Sequence, residues 1–275
     1  MPAQFTAQGL LKKCGFPALV ALALALGGCK NLADVTGSIG NLGASKTLPA
    51  SQAGLRAYSE SWGQKFEANP ADKDAALTYA RALKALTQYH QAAAVLQTAV
   101  LRHSGDKELL AAYGKALVDD GRLAEAEPVL ANASTPERPN WSVMSTQGQV
   151  ADQLGDHARA RGFYEEALKI EPGEPRVLSN LGLSYALAKD LPRAETTLRT
   201  ASADPRADQR VRENFALVLA LQGKFAEAED IFRRDGPADQ AKSNVTAIRS
   251  MIAQSNTWRE IQKLDAGTKG GGKKG

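Results

Sequence analysis

The stretch "VMSTQGQVADQLGDHARARGFYEEALKIEP" (residues 143–172) can be set above "LSNLGLSYALAKDLPRAETTLRTASADP" (residues 178–205), and the comparison lays out the organisation of the whole chain. In both, apolar residues recur every three to four positions around a short turn, "LGDH" in the first, which predicts a pair of helices and no strand. Gly148 stands over Gly182, Ala160 over Ala194, Tyr164 over Leu198 and Ala167 over Ala201, each pair 34 positions apart. The same step places Gly114, Ala126, Leu130 and Ala133 in these columns, then Ala80, Ala92, Leu96 and Ala99 upstream and Ala216, Ala228 and Phe232 downstream. Five contiguous units result, spanning 73–242 and beginning at Lys73, Lys107, Trp141, Pro175 and Gln209.

A single helix pair cannot bury its own apolar face, so such units are stable only when stacked, and about three are needed. The Gly or Ala column lies in the middle of each first helix, where Gly costs roughly 0.5–1 kcal/mol relative to Ala. Its use there predicts the close approach of a neighbouring backbone. Leu96, Leu130, Tyr164, Leu198 and Phe232 are expected to fill the space towards the next unit. The period and columns resemble the tetratricopeptide repeat, a helix-turn-helix unit, over about 170 residues. The resemblance implies an all-α, right-handed helical-repeat solenoid with helical caps, its inner surface lined by the first helix of every pair. Trp62 and Pro70 fall in the columns of Leu96 and Ser104, so residues 51–70 read as an N-terminal capping half repeat. Residues 243–264 read as a C-terminal covering helix, and 265–275, ending "GTKGGGKKG", as a disordered Gly/Lys tail.

The other informative segment is the start. Lys12 and Lys13 precede an apolar run from Phe16 to Leu26, closed by Gly27 and Gly28, the layout of an export signal. Eleven residues are too few for a transmembrane helix, which needs roughly 20. Leu26-Gly27-Gly28-Cys29 resembles the lipobox of bacterial lipoproteins. That resemblance implies a lipoprotein signal peptide at 1–28 and a triacylated Cys29, with Cys14 lost alongside the signal. Several acyl chains exceed the marginal hold of one, at about 0.8 kcal/mol per buried methylene. Lys30 stands where an inner-membrane retention signal would have an aspartate, so the expected location is the inner leaflet of the outer membrane, facing the periplasm. Residues 29–50, rich in Gly, Ser, Asn and Thr, read as a flexible tether with a reach of about 25 Å.

Composition narrows the chemistry. The formal net charge is +4, but Lys12, Lys13, Lys269, Lys273 and Lys274 sit at the ends, and removing those five charges leaves −1 for the body. That balance argues against nucleic-acid binding, which needs a face able to neutralise several phosphates. His90, His103 and His157 read as scattered surface residues, since no pair has zinc-site spacing. Glu165-Glu166 and Asp119-Asp120 are helix neighbours that point apart. No nucleophile elbow, phosphate loop or thiol left after processing is present. The reading is a non-enzyme with no cofactor, metal or small-molecule substrate. Trp62 reads as core, whereas Trp141 and Trp258 read as either cap packing or contact residues.

The expected working surface is the groove lined by Arg81, Lys115, Gln149, Arg176, Asn180, Leu183, Arg210, Asn214 and Leu217. Asn180 and Asn214 share a column and could bond the backbone of an extended peptide, with Leu183 and Leu217 one turn away. Relatives that clamp a terminal carboxylate use a Lys-Asn-Asn-Lys-Arg set whose first lysine is missing here, so an internal segment or a folded partner is as plausible. The runs "RPNW", "DQLGDHARAR", "EPRVLSNLGLSYAL" and "ADQRVRENFALVLALQGKFAEAE" resemble the TadD lipoproteins of tight-adherence, or Flp, pilus systems. The resemblance implies an outer-membrane-anchored scaffold that assists assembly or localisation of the pilus secretion apparatus, its secretin first. An adaptor recruiting peptidoglycan hydrolases or synthases in the periplasm is the alternative.

Overall fold

The computed structural model describes residues 47–270, with side chains as far as Gln254. The signal segment, Cys29, nearly all of the tether and residues 271–275 lie outside the described residues. Twelve helices and no strand are found among the described residues. They divide into two compact units, one ending at Ser184 and the other beginning at Tyr185.

In the N-terminal unit α1 (Gln52–Ala68) is followed by three helix pairs: α2 (Lys73–Ala85) with α3 (Tyr89–Arg102), α4 (Lys107–Asp119) with α5 (Leu123–Ala133), and α6 (Trp141–Gln153) with α7 (His157–Ile170). The helix α8 (Pro175–Leu187) carries the boundary between the units. From α1 to α7 each helix packs on the next, and the first helices also touch directly, α2 with α4 and α4 with α6. One continuous core runs from Trp62 and Phe66 through Leu83, Leu96, Leu109, Leu117 and Leu130 to Val150. The C-terminal unit contains α9 (Leu191–Ala203), α10 (Gln209–Leu221), α11 (Phe225–Phe232) and α12 (Ala238–Gly270). Its core joins Leu198, Phe215, Leu219 and Phe232 to Ala241, Val245 and Ile248 on one stripe of α12. That helix starts five residues ahead of the expected Ser243 and continues past Leu264; Trp258 falls on it, beyond the described side chains.

Both ends of the first helices are governed by local chemistry that repeats with the units. Asp72, Asp106, Asn140 and Asp208, 34 or a multiple of 34 apart, each accept a hydrogen bond from backbone N–H groups of the first turn. Such a cap contributes about 1 kcal/mol. At the other end the chain reverses through a left-handed residue: Thr87, Gly121 and Gly155 in one unit, Lys189 and Gly223 in the other. A 6→1 backbone bond closes every one of these turns, as in Gln88 N–H to Leu83 O (2.9 Å) and Asp156 N–H to Ala151 O (2.9 Å). Thr87 (φ 60°) and Lys189 (φ 65°) hold this geometry without glycine, at a cost of about 1–2 kcal/mol each.

The glycines inside the first helices have a different cause from the one expected. A Cβ on Gly114 would lie 2.5 Å from Cδ2 of Leu130, and one on Gly148 would lie 2.4 Å from Cε1 of Tyr164. The column therefore receives a side chain of the second helix in the same pair, not a neighbouring backbone. Leu130 and Tyr164 are correspondingly sealed inside their own pairs, at 0% and 1% exposure, instead of reaching only towards the next unit. Charged contacts then tie one pair to the next. Lys73 Nζ meets Asp106 (2.7 Å) and Glu108 (2.6 Å) of the following pair, while Lys107 Nζ donates within its own pair to Asn132 O (2.6 Å). In the C-terminal unit Lys224 Nζ donates to both carboxylate oxygens of Glu195 (2.8 and 2.7 Å). This bond, joined by one from Arg199, holds the acid down at about 2.

Candidate partner-binding site

Small residues on α2 and α4 leave a hollow that larger ones would fill. Leu77, Ala80, Ala111, Ala112 and Ala116 line an open cleft of about 780 Å³ on the N-terminal unit, with Ala92 and Leu96 of α3 behind them. One wall is the turn between α5 and α6. The helix α5 contains Pro128 and ends at Ala133, three residues shorter than α3, so seven residues instead of four lead into the next pair. Within that turn the backbones of Thr135 and Arg138 bond to each other (3.0 and 3.4 Å), and Asn140 N–H donates to Ser134 Oγ (3.0 Å). The loop is thereby fixed, and it delivers Arg138, Pro139 and Trp141 to the cleft.

The lining is positively charged. Arg81, Lys84, Lys107, Lys115 and Arg138 contribute five cations against two carboxylates, Glu108 and Asp119. Both carboxylates are engaged: Asp119 pairs with Lys84 (2.6 Å) and Glu108 with Lys73 (2.6 Å). Lys115 lies deepest in electrostatic terms. Its Nζ donates to Ser142 Oγ (2.8 Å), and burial pushes its ammonium down to about 8, aided by the like charges of Lys84 and Arg176 and opposed by Asp119. Taking such a group out of water disfavours its charged form, so the cleft contains a cation that gains from any anion placed beside it.

The nine groove residues expected from the sequence fall in both units, six in the N-terminal one and three in the C-terminal one. Arg81 and Lys115 line the cleft together. Arg176 on α8 acts on Lys115 electrostatically, while Gln149 and Leu183 are half-buried elsewhere on the N-terminal unit. Asn180 spends its Nδ2 on Ser145 Oγ (3.1 Å), a contact between repeats. In the C-terminal unit Arg210 is exposed, whereas Asn214 and Leu217 are buried, the latter within the core. Sequence reasoning left out Tyr89 and Lys84 and gave the "RPNW" run no place in the groove. Pro128 inside α5 and the Pro-containing run "TPERPN" before Trp141 were the signal, since they shorten the second helix and lengthen the link while the 34-residue spacing is kept.

A second polar cluster lies at the far end of the same unit. Asp152 accepts from Tyr164 Oη (3.0 Å) and Ser184 Oγ (2.8 Å), and its Oδ1 is 2.8 Å from His157 Nδ1. Burial raises the Asp152 carboxyl against the pull of these partners. His157 is thus a fixed, largely enclosed residue and not the loose surface histidine expected. The serine contacts the carboxylate and not the imidazole, so the order needed to activate a nucleophile is absent, and the cluster ties α6, α7 and α8 together. Among the described residues, no group of three His, Cys, Asp or Glu could hold a metal ion, and no helix is long and apolar enough to cross a membrane.

Stacked helix pairs recurring every 34 residues, closed by repeated turns and presenting a cleft along first helices, define a helical-repeat binding protein. Sequence profiles described as tetratricopeptide repeat match residues 77–140, 153–218 and 209–234. The chain is built of tetratricopeptide repeats, a protein–protein interaction scaffold. Cellulose synthase operon protein C of Xanthomonas axonopodis pv. citri (strain 306) is 29% identical over 253 residues, covering 88% of this chain but only 15% of that protein. Among solved structures, the thermophilic repeat protein TTC0263 of Thermus thermophilus superposes with a TM-score of 0.53 at 21% identity, over 61% of this chain and 91% of that one. A chain of the APC/C hetero-tetramer Cut9-Hcn1 gives 0.59 at 13% identity, over 76% and 41%. These likenesses concern the fold.

Proposed function

We propose that the chain is a lipid-anchored scaffold of the bacterial envelope that holds polypeptide segments during assembly of a tight-adherence pilus apparatus, with the secretin or a component docking on it as its partner. The observation that carries the binding half of this reading is the cleft itself: an apolar floor, two aromatic residues and a charged rim on a rigid repeat array. Convergent polar groups around an apolar hollow are the usual form of a recognition site. The anchoring half rests on the order of Lys12-Lys13, apolar run and Leu26-Gly27-Gly28-Cys29, and the pilus half on the resemblance of the runs quoted above to that lipoprotein family.

The test is purification of the full chain from detergent-solubilised envelopes, followed by identification of what accompanies it. Recovery of the secretin is expected; recovery of wall hydrolases or synthases in its place contradicts the pilus assignment and favours a cell-wall adaptor. Cys29→Ser is expected to leave the repeats folded and to shift the protein out of the outer-membrane fraction. Normal outer-membrane fractionation of that variant contradicts the lipid anchor.

A further inference from the structure

We infer that the cleft formed by α2, α4 and the turn before α6 receives an acidic polypeptide segment, its carboxylates meeting Arg81, Lys115 and Arg138 and an apolar side chain lying between Tyr89 and Trp141. The inference rests on the reading that the chain holds polypeptides and adds the chemistry of what is held. Charge complementarity is the first argument. Five cations and two carboxylates line the hollow, and those two acids are already bonded to Lys84 and Lys73, so the lining carries three net positive charges. The second is shape. Alanines at 80, 111, 112 and 116 let a partner backbone approach, and the volume of about 780 Å³ falls in the range of about 300–1,000 Å³ that holds a few side chains. A nucleic acid would also be attracted, but the body outside the chain ends is near neutrality and the floor is aliphatic, which suits a peptide of mixed acidic and apolar character.

Lys115 adds a signature specific to this site. The groups that act on it are Lys84 on α2, Asp119 on its own helix and Arg176 on α8, with Tyr89 of α3 in the same cleft and the Ser142 hydroxyl of α6 at its ammonium. A carboxylate placed beside Lys115 favours the protonated form and returns its titration towards the ordinary value near 10.5. Between pH 8 and that value, binding must therefore take up a proton.

The experiment is fluorescence anisotropy on the full chain in detergent, using a rhodamine-labelled, acetylated ten-residue peptide of alternating glutamate and leucine. Counterparts with glutamine or lysine in place of glutamate, and a ten-nucleotide oligothymidylate, serve as competitors. The glutamate peptide is expected to bind at least about tenfold more tightly than the glutamine peptide, and its affinity to fall about tenfold from pH 7 to pH 9 by proton linkage. Lys115→Met should abolish the pH dependence. Arg138→Ala, at an exposed turn where folding is not at stake, should weaken the glutamate peptide and leave the glutamine peptide unchanged. Equal binding of the glutamine peptide, an affinity flat with pH, or tighter binding of the oligonucleotide overturns the inference. If the glutamine peptide binds as well as the glutamate one, the polypeptide-holding role survives; if no peptide binds, that role fails too.

Discussion

Gly148→Ala is expected to lower the stability of the N-terminal unit by about 2–3 kcal/mol, although alanine is the better helix former by about 0.5–1 kcal/mol. The added methyl would sit 2.4 Å from Cε1 and 2.7 Å from Cζ of Tyr164, distances no packing tolerates. Tyr164 has nowhere to go, because its ring is 1% exposed and its hydroxyl is bonded to Asp152 at 3.0 Å. Either α6 and α7 separate or the Asp152 cluster breaks, and in a stack each neighbour depends on that interface. A lowered midpoint in urea denaturation is the expected observation. The first repeat shows the remedy, since it carries Ala80 and Leu96 in the same two columns. Gly148→Ala combined with Tyr164→Leu should recover part of the loss, the remainder being the hydrogen bond to Asp152. An unchanged midpoint for Gly148→Ala alone would show that the pair packs differently.

Lys115→Met should act in the opposite sense, stabilising the fold by about 1–3 kcal/mol at pH 7 while weakening the acidic peptide and flattening its pH dependence. The folded chain holds this lysine at about 8, below the ordinary 10.5 of the unfolded chain. Between those values the unfolded chain binds more protons, so stability rises as the pH climbs through that window. Below pH 8 both states are charged, and the folded one bears the whole penalty, about 3 kcal/mol at 1.36 kcal/mol per pH unit, less the hydrogen bond to Ser142. Methionine has similar length and carries no charge, so it avoids that penalty. Its advantage should shrink towards zero as the pH approaches 10.5, which paired urea melts at pH 7 and pH 10 would reveal. A methionine variant destabilised equally at both would remove the case for a desolvated cation. Retaining such a lysine at a cost in stability is intelligible if its charge is used for binding.

The repeat frame was legible because it depends on single residues at constant spacing. Gly114 and Gly148 mark a column where a Cβ would collide with the facing side chain of the same pair, and the left-handed turns recur as "DDGR", "LGDH" and "LQGK". What those columns touch was less legible. Periodicity places Tyr164 and Gly148 on facing helices without saying whether the ring points into its own pair or out of it. The cleft was half legible for the same reason: Arg81, Lys115 and Trp141 occupy regular positions on first helices, while Arg138 is brought in by an irregular turn that no repeat rule describes. Asp152, His157, Tyr164 and Ser184 each resemble ordinary polar positions when read singly. They converge only because a 34-residue step returns the chain to the same height in the stack, at positions where other pairs place Val118, Leu123 or Val150.

The claim at the centre of this account is that the molecule acts by holding a polypeptide in the cleft between α2, α4 and α6. A photo-crosslinking benzoylphenylalanine put in place of Trp141, an aromatic for an aromatic, tests it in intact envelopes, with the same group at exposed Glu165 on α7 as the control. The account predicts a light-dependent adduct from position 141 and none from 165, with the linked peptide rich in aspartate and glutamate by mass spectrometry. Adducts that form equally from both positions, or no protein adduct from position 141, would contradict it.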